Sequence, residues 1–338
     1  MATRNSTERD RTAPAVPCSR GPLSSAVVVA LTANHRPGPH HLRHAATTDA
    51  PYGDDLQLAL YLLYELHYRG FAGVDESMEW APVLAPLREA LEDRFLRALR
   101  ADVPGRAPED AFADLLVEPA DRSGSVAYHL EHEGALGQVR EYAALRSLYH
   151  LKEADPHAWV IPRLRGRAKA AMVAIEYDEF GAGRAEEVHA RLFADLMDDL
   201  GLDTAYGRYV DHAPAEMLAV VNLMTLFGMH RRSRGALVGH FGCVEVTSSP
   251  GSRRLAAAMR RTGAGPAAVR FYTEHVEADA VHEQVVRHEV VGGLLADEPH
   301  LAGDVAFGVD ATVLLEDRLA AHLLRAWRSG GSALRQSL

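Results

Sequence analysis

The sequence predicts an all-α helical bundle, and three observations carry that prediction. Apolar residues recur at three- and four-residue intervals through almost every segment between residues 54 and 327. The alternating apolar and polar runs that strands need are scarce. Short turns containing Gly or Pro, such as GLDTAYG, SSPGS and TGAGP, punctuate the pattern, and no unit of about 20–50 residues repeats.

Residues 1–50 mix Arg, Ser, Thr, Pro, Gly and His without sustained periodicity, so they are expected to form a disordered tail ahead of one domain at 51–330. The HHLRH run at 40–44 lies in that tail and reads as solvated rather than metal-binding. The first helix is DLQLALYLLYELHYR, with an acidic start, a continuous apolar face and Gly70 as its stop. PVLAPLREALEDRFLRALR and GALGQVREYAALRSLYHLKEA repeat the amphipathic period. Further helices are expected at about 163–180, 187–200, 214–230, 234–248, 251–262, 266–290 and 311–327. A bundle of this kind builds cofactor and metal sites from side chains that face inward.

Composition narrows the partners. The 338 residues are 47% hydrophobic and 24% charged, as in an ordinary globular protein. A net charge of −10 argues against nucleic acid or an anionic membrane, both of which select a basic surface, and favours a small-molecule substrate. Only Cys18 and Cys243 are present, which excludes a disulfide framework and a cysteine metal site. The apolar stretch AVVVALTA at 26–33 is short and has no A-x-A cleavage pattern, and no window is apolar enough to span a bilayer. A cytoplasmic location is expected, and association as a homodimer is left open.

The chemistry begins with FYTEHVEADAVHEQ at 271–284. At about 100° per residue, His275, Asp279 and His282 fall within roughly 60° of arc, on one stripe of a helix. Two imidazoles and a carboxylate on one stripe look like half a metal site, although a solvated charged face produces the same spacing. A second helix would have to supply carboxylates. IEYDEFGAGRAEEVHARLF at 175–193 holds Glu176, Asp178, Glu179 and His189, with Gly181 and Gly183 loosening the segment between them. Glu245 sits in GALVGHFGCVEVTSS among core residues, where a carboxylate needs a cation or a strong donor, either a metal or an arginine such as Arg231 or Arg234. His129 with Glu133 in HLEHEG, and His150, His157, His230 and His240, read as structural or substrate-facing rather than as ligands. RRSR at 231–234 reads as a solvated helix end.

Taken together, Glu179, His189, Glu245 and the closing H-x-x-x-D-x-x-H resemble the haem-oxygenase-like diiron oxidase and oxygenase family in ligand type, order and separation. LYHLKEADPHAWVIPRLRGRAKAAMVAIEYDEFGAGR and NLMTLFGMHRRSRGALVGHF are similar to the same family, often described as iron-containing redox enzymes, and the resemblance spans roughly residues 54–325. It implies a haem-oxygenase-like helical bundle with Glu179, His189, Glu245, His275, Asp279 and His282 around two iron ions. Glu153, in KEADPH, stands where some N-oxygenating members have an extra carboxylate ligand, and its alternative is a helix-end charge; Glu176 competes with Glu179. The activity implied is O2-dependent, with O2 as co-substrate and an external electron donor. N-oxygenation of a small amine to a hydroxylamine, nitroso or nitro product in natural-product biosynthesis leads. Oxidative cleavage or desaturation of an aliphatic acid or amino acid is second. A metal-free hydrolase or binding protein on the same fold is the alternative from another class.

Overall fold

A computed structural model describes residues 13–32, 49–117 and 119–338, with the backbone alone at 277–280. Every regular element among them is helical, so the all-α class holds. The chain divides into two compact units, and each is taken by itself.

The first unit comprises Met1–Asp102, Ala205–Asn222 and Leu334–Leu338. Its helices are α1 (Pro22–Thr32), α2 (Asp54–Glu65) and α3 (Ala85–Asp102). α2 is buried along its whole length from Asp55 to Glu65, as its continuous apolar sequence requires. The tail expected over 1–50 is corrected at α1, which buries Leu23, Val27, Ala30 and Leu31. Asp55 reaches across from α2 to accept hydrogen bonds from the backbone N–H of Leu23 and of Ser24, each at 2.7 Å. Those amides have no partner within their own helix, and a carboxylate also suits the positive end of the helix dipole. The reading failed here because the partner that caps α1 lies more than thirty residues away, beyond any local pattern. His40, His41 and His44 lie outside the described residues.

The second unit, Val103–Thr204 with Leu223–Ala333, carries every candidate ligand. Its helices are α4 (Pro108–Leu115), α5 (Val126–His132), α6 (Leu136–His150), α7 (Asp155–Ala158), α8 (Gly166–Glu179), α9 (His189–Asp199), α11 (Arg234–Thr262), α12 (Pro266–Val285), α13 (Gly292–Asp297) and α14 (Ala302–Arg328), while α10 (Ala215–Met229) starts in the first unit and ends in the second. SSPGS, expected as a turn, lies inside the unbroken α11, which runs through Pro250. Proline removes one hydrogen bond there, and Leu255, Ala258 and Met259, all buried, hold the far half of the helix in line by packing.

α11 and α14 meet backbone to backbone. A methyl group added to Gly239 would stand 2.0 Å from the Val305 carbonyl oxygen, and one on Gly308 would stand 2.0 Å from that of Ala236. Only glycine permits this approach, and it fixes the depth at which the side chains of α11 face their neighbours. α12 leaves α11 through a turn whose Gly263 has φ +78°, and passes directly into a π-helical turn at Val286–Val291. Wide turns of this type occur frequently at functional sites, and this one begins four residues after His282.

Candidate metal centre

Four helices and one bend supply the ligand-type side chains. Glu153 stands in the bend between α6 and α7, Glu179 is the last residue of α8, His189 the first of α9, Glu245 lies mid-way along α11, and His275 and His282 lie on α12. All six are buried. The structure sorts them into two triads, Glu153 with His189 and His275, and Glu179 with Glu245 and His282, and within each triad the donor atoms lie within 4.8 Å of one another. Asp279 is on α12 between the two histidines, and its side chain lies outside the described residues.

The bend and the glycine segment explain how distant residues converge. Ala154 adopts φ 73° and ψ −36°, a conformation that L-residues rarely occupy, immediately after Glu153. Gly181, Ala182 and Gly183 have φ of 77°, 51° and 84°, so α8 stops sharply and the chain reverses before α9. A methyl group on Gly181 would stand 2.7 Å from the backbone nitrogen of Val188. The reversal therefore brings His189 back beside Glu179, with Nδ1 of the one 2.6 Å from Oε2 of the other. That contact is short but poorly aligned for a hydrogen bond, and it links the two triads through Glu179.

The outer nitrogens of two histidines decide which nitrogen faces inward. His275 Nδ1 donates to the Phe271 carbonyl at 2.8 Å, so its lone pair is on Nε2, 3.7 Å from Glu153 Oε1. His282 Nε2 donates to Asp178 Oδ2 at 3.3 Å, which leaves Nδ1 facing Glu245 Oε2 at 3.3 Å and Glu179 Oε1 at 3.6 Å. Fixing the tautomer through an outer carboxylate or carbonyl is how proteins orient metal-binding imidazoles. The sequence reading noted Asp178 only as one of the acidic residues of the 175–193 segment.

The electrostatics call for a cation. Burial, then Glu179 and Glu245, push the Glu176 carboxyl up to about 9, and neither of its oxygens accepts a hydrogen bond from the described residues. Glu153 is driven upward by its own burial but is held well below the usual carboxylate range by His150, whose Nδ1 is 2.7 Å away, and by His275. For His189, burial opposes protonation and Glu179 outweighs it, so its basicity rises. Four carboxylates in one buried space are unfavourable without positive charge, and Glu153 Oε2 has no hydrogen-bond donor among the described residues. Mixed carboxylate and imidazole donors in two adjacent triads suit iron or manganese, so the residues present fit a pair of such ions. Of the two arginines considered for Glu245, Arg234 is buried and paired with Glu298 at Nε to Oε1 3.1 Å, whereas Arg231 and Arg232 are exposed, as expected of RRSR.

A cavity of about 470 Å³ opens onto Glu153, Glu179, Glu245 and His275, and its walls are mixed, with Met224, Phe241, Leu255 and Phe271 beside Tyr149 and Tyr272. The Tyr272 hydroxyl is buried and makes no hydrogen bond among the described residues. His129 belongs elsewhere, contacting Gln138 at 3.2 Å and stacking on Trp327. Sequence spacing alone did not single out Tyr272, nor the part played by His157, which lines the same cavity.

Comparison with known proteins places the chain in a family. A family model described as iron-containing redox enzyme matches residues 140–317, which include Glu153, Glu179, His189, Glu245, His275 and His282. A nitrosourea synthase from Streptomyces achromogenes subsp. streptozoticus is 25% identical over 266 residues, 73% of this chain, and the chain spans 56% of that protein's length. Among the described residues no helix is long and apolar enough to cross a membrane.

Proposed function

The chain belongs to the iron-containing redox enzyme family, and on that premise we propose that it is a diiron N-oxygenase acting on a small amine. The observation that carries the reading is the pair of buried triads opening onto one cavity. Glu153, His189 and His275 would hold one iron and Glu179, Glu245 and His282 the other, with Asp279 a further ligand on the resemblance alone. Bound there, ferrous iron supplies electrons for the reduction of O2. The relative's name denotes synthesis of a nitrosourea, a product that contains an oxidised nitrogen, and this favours nitrogen over carbon as the atom attacked.

The chain's own residues set up the reaction. Phe271 O and Asp178 hold the ligand nitrogens of His275 and His282 in place, and Met224, Phe241 and Leu255 limit the water beside them. Overall the amine gains one oxygen atom from O2 in a new N–O bond, the other oxygen leaves as water, and an external donor supplies two electrons with two protons from solvent. The substrate is a small molecule, with neither nucleic acid nor membrane involved, and the enzyme is placed in natural-product biosynthesis in the cytoplasm; a homodimer is compatible with this.

Anaerobic loading with ferrous iron, followed by O2 and a panel of alkylamines, guanidines and fatty acids, tests the reading. Amine-dependent O2 uptake with a hydroxylamine, nitroso or nitro product is expected. Turnover of decanoate with none of the amines would replace it by oxidative cleavage or desaturation.

A further inference from the structure

Two buried histidines outside the triads form a hydrogen-bonded chain whose direction can be worked out. Thr312 Oγ1 lies 2.7 Å from the Gly308 carbonyl oxygen. Two oxygens at that distance need a proton between them, and a carbonyl has none, so the hydroxyl donates. Having used its one proton, Thr312 can only accept from His240 Nδ1, 2.8 Å away, which must therefore be protonated. Burial lowers the basicity of His240 to about 4 and that of His157 well below the ordinary range, so each ring carries a single proton. With its proton on Nδ1, His240 has a lone pair on Nε2. The 3.1 Å contact between His240 Nε2 and His157 Nε2 is then a hydrogen bond donated by His157.

The remaining nitrogen, His157 Nδ1, is bare. It receives no hydrogen bond from the described residues, and His157 is 1% exposed yet lines the cavity that opens onto the candidate ligands. His157 follows Glu153 by four residues, in the short α7 that starts directly after the strained bend at Ala154, so the bend that places a ligand also places this ring. An imidazole locked in one tautomer and shielded from bulk water is an acceptor that discriminates between ligands with and without an N–H group.

We propose that His157 Nδ1, fixed as a lone pair by the chain through His240 and Thr312 to Gly308, is the acceptor that binds and orients an N–H group of the substrate. This rests on the N-oxygenation reading and assigns the cavity residue that selects the amine. His240 and Thr312 act through His157 and are positioning residues.

Two measurements on the full chain test it. Nitrogen-15 spectra of histidine-labelled, zinc-loaded protein are expected to show His157 protonated on Nε2 and His240 on Nδ1; a His157 ring protonated on Nδ1 overturns the proposal. Calorimetric titration of the anaerobic iron-loaded protein then compares n-butylamine with n-butyltrimethylammonium, which has no N–H. His157→Phe should weaken n-butylamine about tenfold or more, the loss of one hydrogen bond to a charged donor, and leave n-butyltrimethylammonium unchanged. His157→Asn, whose side-chain oxygen takes the place of Nδ1, should restore much of the preference, and equal iron content in all three proteins excludes collapse of the metal centre as the cause. Equal binding of n-butylamine to wild type and H157F removes the role of His157 while the amine reading stands. Binding of decanoate but of neither cation removes the amine reading itself.

Discussion

Replacing Glu176 by Gln should make the metal-free chain more stable, by an amount that grows with pH. The group is 2% exposed, neither oxygen accepts a hydrogen bond from the described residues, and its basicity is raised from the ordinary 4.5 to about 9. Because the folded value lies above the unfolded one, the stability associated with this group is fully present below pH 4.5 and is lost as pH rises towards 9. Each pH unit in that window costs about 1.4 kcal/mol, so at pH 7 the folded chain gives up about 3 kcal/mol to keep the carboxyl neutral. Glutamine has nearly the same size and does not titrate. Its buried amide adds an offset that is independent of pH, so the slope is the quantity to measure. Urea denaturation of chelator-treated wild type and Glu176→Gln at pH 5, 6, 7 and 8 should give curves that diverge steadily, the histidine contributions being common to both proteins. Parallel curves would show that Glu176 is ionised in the folded chain, and the account of a carboxylate cluster that lacks its cation would fail.

Other perturbations address single contacts. His282→Ala and Glu245→Ala should each lower iron bound after anaerobic loading to about half of wild type, measured by elemental analysis, since each removes a donor from the same triad. Gly181→Ala should destabilise the chain more than Gly183→Ala in thermal melts: both have positive φ, worth about 1–2 kcal/mol, but only the first methyl meets backbone at 2.7 Å, and its iron affinity should fall as His189 shifts. Asp55→Ala should cost about 3 kcal/mol in urea denaturation, because three donors at the start of α1, the two amides and Ser24 Oγ, lose their acceptor together. Gly239→Ala should exceed the usual overpacking cost of about 1–3 kcal/mol, and loss of the His240 to Thr312 bond should appear in histidine nitrogen-15 spectra.

The sequence by itself determined the all-α class and most of the long helices, and it nominated the candidate ligands that the structure brings together apart from Asp279, because amphipathic period and ligand spacing are local along a chain. His275 and His282 share a face through helical geometry alone, and Glu245 announced itself as a carboxylate among apolar neighbours. Only the tertiary structure decided how these residues are grouped. Pairing Glu153 with His189 and His275, and placing Glu179 between the triads, depends on the strained bend at Ala154 and the reversal at Gly181, whose φ angles are set by packing. The same holds for α1, ordered by a carboxylate on α2, and for α11, carried past Pro250 by buried contacts in place of a missing hydrogen bond. Tautomers lie furthest from the sequence. The bare nitrogen of His157 exists because Gly239 and Gly308 bring two helices into backbone contact, which sets Thr312 against His240, and proximity between residues 157, 240 and 312 leaves no trace in local periodicity.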